Sequence, residues 1–177
     1  IRWRDFHNAN PKISADDFLR SHLRKRKPLV KIVAYCLNPN HYHLILGQIR
    51  ENGIVDFMRK LGTGYSMYFN KTYQHSGAIF QGRFKSVHID DNSYLLYLSA
   101  YVNKNHFIHY VDETNPNPHW KYCSLEEFGH ARKLKGEICA KEVILEQFTS
   151  PKEYLKFARD NALYMKEKKE TEKYLID

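Results

Sequence analysis

The sequence predicts an α+β fold in which helices cover an antiparallel sheet, with short helices appended at the C-terminal end. Three observations predict it. A β-branched run and an alternating run are joined by turn residues, two longer segments with helical spacing follow, and from Trp120 onward the apolar residues fall into short clusters. With 177 residues, 42 % of them hydrophobic, the chain can bury one sizeable core but is short for two full domains. The expected division is a main domain over residues 1–119 and a helical extension over residues 120–177.

The elements follow in order. Ser14 with Asp17 three residues on resembles a helix start, and Phe18, Leu19 and Leu23 form a partial apolar face before Arg24-Lys25-Arg26-Lys27 and Pro28 end it. Leu29 to Leu37 is rich in Val and Ile, and His41 to Gly47 alternates. Asn38-Pro39-Asn40 between them has the turn chemistry of a hairpin.

Ile54, Phe57, Met58, Leu61, Tyr65, Tyr68 and Phe69 recur at helical spacing, which predicts an amphipathic helix over residues 52–72 that covers the sheet. Gly62 and Gly64 weaken its middle by about 1 kcal/mol each relative to Ala, and close packing is the expected reason. Residues 78–89 read as a strand. Asp90-Asp91-Asn92-Ser93 supply caps for a helix over residues 93–106. Short helices are expected after Ser124, over residues 139–148 and from Ser150-Pro151, with an exposed helix or frayed tail over the last dozen residues.

Lysine and arginine total 28 against 20 acidic residues, a net charge of +8, so a polyanion is a natural partner. Cys36, Cys123 and Cys139 are widely spaced and odd in number, which argues against a disulfide framework or a cysteine zinc site and for a reducing, cytoplasmic setting. No apolar run approaches the roughly 18 residues of a membrane span, so a soluble protein is expected. The polar opening Ile-Arg-Trp-Arg-Asp-Phe reads as the middle of a longer chain.

His41-Tyr42-His43 is the sharpest chemical signal. On a strand, side chains at i and i+2 share a face, so both imidazoles can reach one metal ion while Tyr42 points away. An incidental exposed pair is the ordinary explanation for such spacing. On the helix over residues 93–106, Tyr94, Leu98, Tyr101 and Asn105 fall along one stripe, with Ser99, Ala100 and Asn103 opposite. Tyr101 and Asn105 are then polar groups on the buried face: a hydrogen-bonded core pair, or a nucleophile and a carboxamide ligand one turn apart.

Asn-Pro-Asn-His-Tyr-His-Leu-Ile-Leu (38–46), Phe-Gln-Gly-Arg-Phe-Lys (80–85) and Tyr-Leu-Leu-Tyr-Leu-Ser-Ala-Tyr-Val-Asn-Lys-Asn (94–105) stand in the order and spacing of the REP-associated tyrosine transposases. These are single-tyrosine insertion-sequence transposases of the HUH nuclease superfamily, and the resemblance covers residues 29–125. It implies a ferredoxin-like, RRM-like sheet. It also implies His41, His43 and Asn105 as ligands of Mg2+ or Mn2+, Tyr101 as nucleophile, and single-stranded or hairpin DNA as substrate. A homodimer is compatible, since family members differ on this point. Acting on DNA, such a protein would associate with a prokaryotic nucleoid. Asn38 stands where Met is usual, a loop change of little expected consequence. The upstream strand with its Tyr-His-x-x-Asn-Arg-Gly type segment is not found, so the chain is expected to lack the family's N-terminal strand.

The implied chemistry is cleavage and rejoining of single-stranded DNA through a 5′-phosphotyrosine link, with the divalent ion polarising the scissile phosphate. Ligand types alone would suit zinc equally. Gln81, Arg83 and Lys85 would share one strand face against DNA. Two other readings compete. One is a non-catalytic single-stranded nucleic-acid-binding domain derived from a transposase. The other is a hydrolytic zinc enzyme using Cys36, His41 and His43, for which no acidic base stands at a recognisable spacing.

Overall fold

A computed structural model describes residues 27–110, 120–132 and 136–174; the helix start expected at Ser14 and the missing-strand question at the front lie outside them. The hairpin forms as expected, from β1 (Val30–Leu37) and β2 (Tyr42–Gln48). The Asn38 N–H donates to the His41 carbonyl at 2.8 Å and closes the turn. Pairing is antiparallel, Leu37 with Tyr42 and Cys36 with His43, and the register shifts between Ile32 and Ala34.

That irregularity is a β-bulge at Val33, and it re-phases the strand, because a one-residue slip exchanges the faces. Val33 and Ala34 are therefore buried in succession. Beyond the bulge, Ala34 and Cys36 share a face with their partners Ile45 and His43. The bulge thus sets which histidine face meets the core.

Helix α1 (Gly53–Tyr73) starts where the Gly53 backbone passes the Leu29 carbonyl so closely that a Cβ would lie 2.2 Å from its oxygen, an approach that requires glycine. Of its residues only Gly53 and Met58 are buried. Leu61, Tyr65 and Tyr68 are exposed, so α1 covers the sheet far less than its periodicity suggests. Nor does close packing explain both internal glycines: a Cβ at Gly62 would make an ordinary 3.8 Å contact with Phe80, and one at Gly64 would meet nothing.

Residues 78–89 do not form a strand. Phe80 anchors the segment between Tyr42 of β2 and Tyr65 of α1, with ring centroids 6.0 and 5.8 Å away. Residues 81–88 are exposed, Ile89 is half-buried against the core, and the segment takes no backbone hydrogen bonds from a neighbouring strand. Alternating side chains cannot make a strand without a partner ladder.

Helix α2 (Asn92–Tyr110) is capped by Asp91, whose carboxylate accepts the Tyr94 N–H at 2.7 Å, and it runs a turn beyond its expected end. It is buried on two sides. One side meets the hairpin; on the other, Ser99 and Asn103 are fully or almost fully buried, although the stripe argument placed them opposite the buried face. The cause is helix α5 (Pro151–Tyr174), opened by a capping box in which the Glu153 N–H donates to Ser150 and Thr149 donates to the Glu153 carboxylate. Its Tyr154 accepts a 2.7 Å hydrogen bond from Asn103, which in turn accepts from Ser124.

Between these helices lie the short α3 (Leu125–Phe128) and α4 (Glu142–Leu145). Their flanking segments close the outer edge of β1: the Leu37 N–H donates to the Tyr122 carbonyl, Ser124 N–H to Tyr35, and Ala140 N–H to Ile32. A strand edge left unpaired invites intermolecular pairing, and here the chain covers it with its own backbone. The fully buried Lys141 holds this segment by donating to the Glu127, His130 and Arg132 carbonyls and pairing with Glu137. One core cluster runs through β1, β2, α2, α3 and α5. The α+β class holds, with a two-stranded antiparallel sheet among the described residues. No described helix is long and apolar enough to cross a membrane.

Candidate active site

The hairpin end and the middle of α2 bring four of the residues singled out in the sequence together. His41 and His43 lie edge to face with ring centroids 5.0 Å apart, and His43 packs edge to face on Tyr101 at 5.5 Å. Asn105, one turn beyond Tyr101, is fully buried. Its Oδ1 accepts a 2.7 Å hydrogen bond from the Asn38 amide, whose nitrogen also stands 3.1 Å from His41 Nε2.

The orientation of each group follows from its partners. Asn40 Oδ1 is 2.8 Å from His41 Nδ1 and can only accept, so that nitrogen carries the proton and Nε2 offers its lone pair. Tyr110 donates to the same Asn40 oxygen at 2.9 Å. Burial, and then the His41 ring, hold His43 below the usual imidazole range, which keeps it neutral and able to ligate. The Cys36 thiol donates to Asn38 Oδ1, and this turns the Asn38 NH2 toward His41 and Asn105. Burial and then Cys123 push Cys36 up to about 12. Among the described residues Cys36, His41 and His43 do not group as a three-ligand metal site, which removes the support for the hydrolytic zinc reading.

Two acceptors, His41 Nε2 and Asn105 Oδ1, thus converge on one donor. A divalent ion in place of that donor would meet a nitrogen and oxygen set chemically suited to it. Among the described residues no three His, Cys, Asp or Glu side chains group as a metal site, so a metal held by His41 and His43 would need an amide such as Asn105 as its third donor. Asn105 Nδ2 is buried without a hydrogen-bond partner; such orphaned groups call for a functional explanation.

Tyr101 has a partner that the sequence reading missed. Its hydroxyl lies 3.2 Å from His109 Nε2, and Lys169 of α5 lies 2.8 Å from His109 Nδ1. An ammonium only donates, so Nδ1 accepts and Nε2 directs its N–H at the Tyr101 oxygen. Partial burial, then the Lys169 charge, and then His41 and His43 hold His109 below the usual imidazole range. His109 continues the Tyr101, Asn105 stripe by one more turn, a signal that was available in the sequence; Lys169 had none. Gln81, Arg83 and Lys85 are not brought to this cluster: they are exposed and follow Phe80, which sits on the Tyr42 side of β2.

A family model described as "Transposase IS200 like" matches residues 14–105, just over half of the chain. The chain belongs to the IS200-like transposase family. No curated protein and no solved structure matches it. The matched span contains all three motifs on which the resemblance was read, and bears that resemblance out. As in any transposase family, the partner is DNA. The match ends at Asn105, so His109 and Lys169 lie beyond it in this member of the IS200-like transposases.

Proposed function

We propose that this protein is a metal-dependent transposase that cleaves and rejoins single-stranded DNA through a 5′-phosphotyrosine intermediate. The observation that carries the reading is the gathering of His41, His43, Tyr101 and Asn105, from two distant parts of the sequence, between the hairpin end and the middle of α2. His41, His43 and Asn105 would hold Mg2+ or Mn2+, which when bound supplies charge neutralisation at the scissile phosphate.

The chain's own residues do the rest. His109, held by Lys169, directs its N–H at the Tyr101 oxygen and orients its remaining lone pair for in-line attack. Tyr101 forms the Oη–P bond as the P–O3′ bond breaks; the phenol loses its proton and the departing 3′ oxygen gains one. Attack by a 3′ hydroxyl on the phosphotyrosine reverses the step and joins strands without ATP. Gln81, Arg83 and Lys85, exposed on an irregular segment, are free to follow a DNA backbone. The antiparallel hairpin packed against α2 is compatible with a ferredoxin-like fold, with residues 120–177 as its helical extension.

One observation favours a second reading, a single-stranded nucleic-acid binder without chemistry. Asn38 satisfies His41 and Asn105 by itself, so the cluster is stable as a hydrogen-bonded network. The deciding experiment incubates the protein and Tyr101→Phe with labelled single-stranded hairpin DNA and Mn2+, followed by denaturing electrophoresis. A covalent protein–DNA band that needs both metal and Tyr101 is expected. DNA binding with no such band on substrates spanning several hairpins would assign the binder instead.

A further inference from the structure

On the side of α2 away from Tyr101 lies a cavity of about 580 Å3, between Trp120-Lys121 and the first turns of α5. At roughly 100° per residue, Asn103 and Phe107, which line it, sit about 200° and 240° round the helix from Tyr101. Among the described residues, Lys104, Lys121, Lys152, Lys156 and Arg159 line it against a single carboxylate, Glu126. Lys152 and Lys156 make no ion pair among the described residues. Arg159 is paired with Asp160, and the lysines that remain make an excess of cations on a concave surface, which concentrates anions.

The inner wall is flat and aromatic. Trp120 stacks on His106 with centroids 4.0 Å apart and planes within 7°, and its indole N–H is held by the Leu37 carbonyl. His106 is only 7 % exposed, and its Nδ1 has no hydrogen-bond partner among the described residues. A buried polar atom left unpaired on a cavity wall calls for an explanation, and an entering ligand supplies one. The volume far exceeds a phosphate ion and falls within the range of organic-ligand pockets. Cations for a phosphodiester beside apolar and aromatic walls for a base are the combination that binds unpaired nucleotides.

We propose that this cavity is a second strand-binding site, which seats an unpaired nucleotide and its flanking phosphates from the DNA strand processed at Tyr101. The inference rests on the reading of the partner as single-stranded DNA. It gives the C-terminal helix a direct role in holding substrate, with Lys152 and Lys156 as phosphate contacts and the Trp120 face beside the base.

The test is fluorescence anisotropy of a labelled single strand over a salt series, with Lys152→Ala/Lys156→Ala compared against wild type and against Lys60→Ala/Lys71→Ala on α1. In parallel, Trp120 emission is followed in a Trp3→Phe background. Loss of the two cavity lysines is expected to weaken binding on the order of tenfold at low salt and to make the salt slope shallower by about 1.4. The strand should quench Trp120. Unchanged affinity and slope, or the same loss in the α1 pair, with Trp120 unquenched, would overturn the site. Quenching by dAMP as strong per nucleotide as by the strand would reassign it to a free nucleotide. If the lysine and Trp120 effects appear but no Tyr101 adduct ever forms, the transposase chemistry fails while this site stands.

Discussion

The Asn38 amide nitrogen donates to Asn105 Oδ1 across 2.7 Å, joining the hairpin turn to the middle of α2. The same nitrogen reaches His41 Nε2 at 3.1 Å. A position that reads in the sequence as an inconsequential turn residue therefore stands between two expected metal ligands. A divalent ion held by His41 and Asn105 would compete with this amide for the same lone pairs.

Replacing Asn38 tests that competition. Asn38→Met removes both hydrogen bonds, each worth about 1 kcal/mol net, and is expected to raise Mn2+ affinity about 30-fold by titration calorimetry. A tenfold fall would instead make the Asn38 oxygen a ligand.

His109→Ala leaves Tyr101 without the N–H that orients it. Single-turnover adduct formation is expected to slow about 100-fold with DNA affinity unchanged. His109→Gln, which keeps a donor, should recover part of the rate, and Lys169→Ala should slow it less, since His109 Nε2 can still donate. Equal rates in all three variants and wild type would remove His109 from the chemistry.

Tyr154 makes stability depend on alkaline pH. Burial raises its phenol from 10.0 to about 12, against the lowering effect of its Ser99 and Asn103 hydrogen bonds. In the unfolded chain the phenol ionises near pH 10 while the folded form keeps its proton. Its contribution is thus fully present below pH 10 and is lost between 10 and 12, at about 1.4 kcal/mol per unit. Denaturant titrations from pH 8 to 11 should show this fall, and Tyr154→Phe should show a shallower one. At pH 8 that variant should cost about 1–3 kcal/mol, because Asn103 is left with a buried unpaired donor.

Local patterns were legible in the sequence wherever local physics decides them. Val and Ile around Asn38-Pro39-Asn40 specify the hairpin, Asp91 the start of α2, and Ser150-Pro151 the start of α5. Strand periodicity put His41 and His43 on one face, and helical periodicity put Tyr101 and Asn105 on one stripe. Residues 78–89 failed as a strand because alternation says nothing about a partner ladder. Ser99 and Asn103 were placed outside because one stripe cannot reveal a second packing helix.

The bulge at Val33, the rotation of Asn38 toward Asn105, the Lys169 contact with His109 and the cationic cavity beside Trp120 were decided by the tertiary structure alone. The physical reason is distance along the chain. Spacing rules extend over a few residues, whereas the Asn38 to Asn105 bond spans 67 positions and the His109 to Lys169 bond spans 60, and each forms only once the hairpin, α2 and α5 share one core.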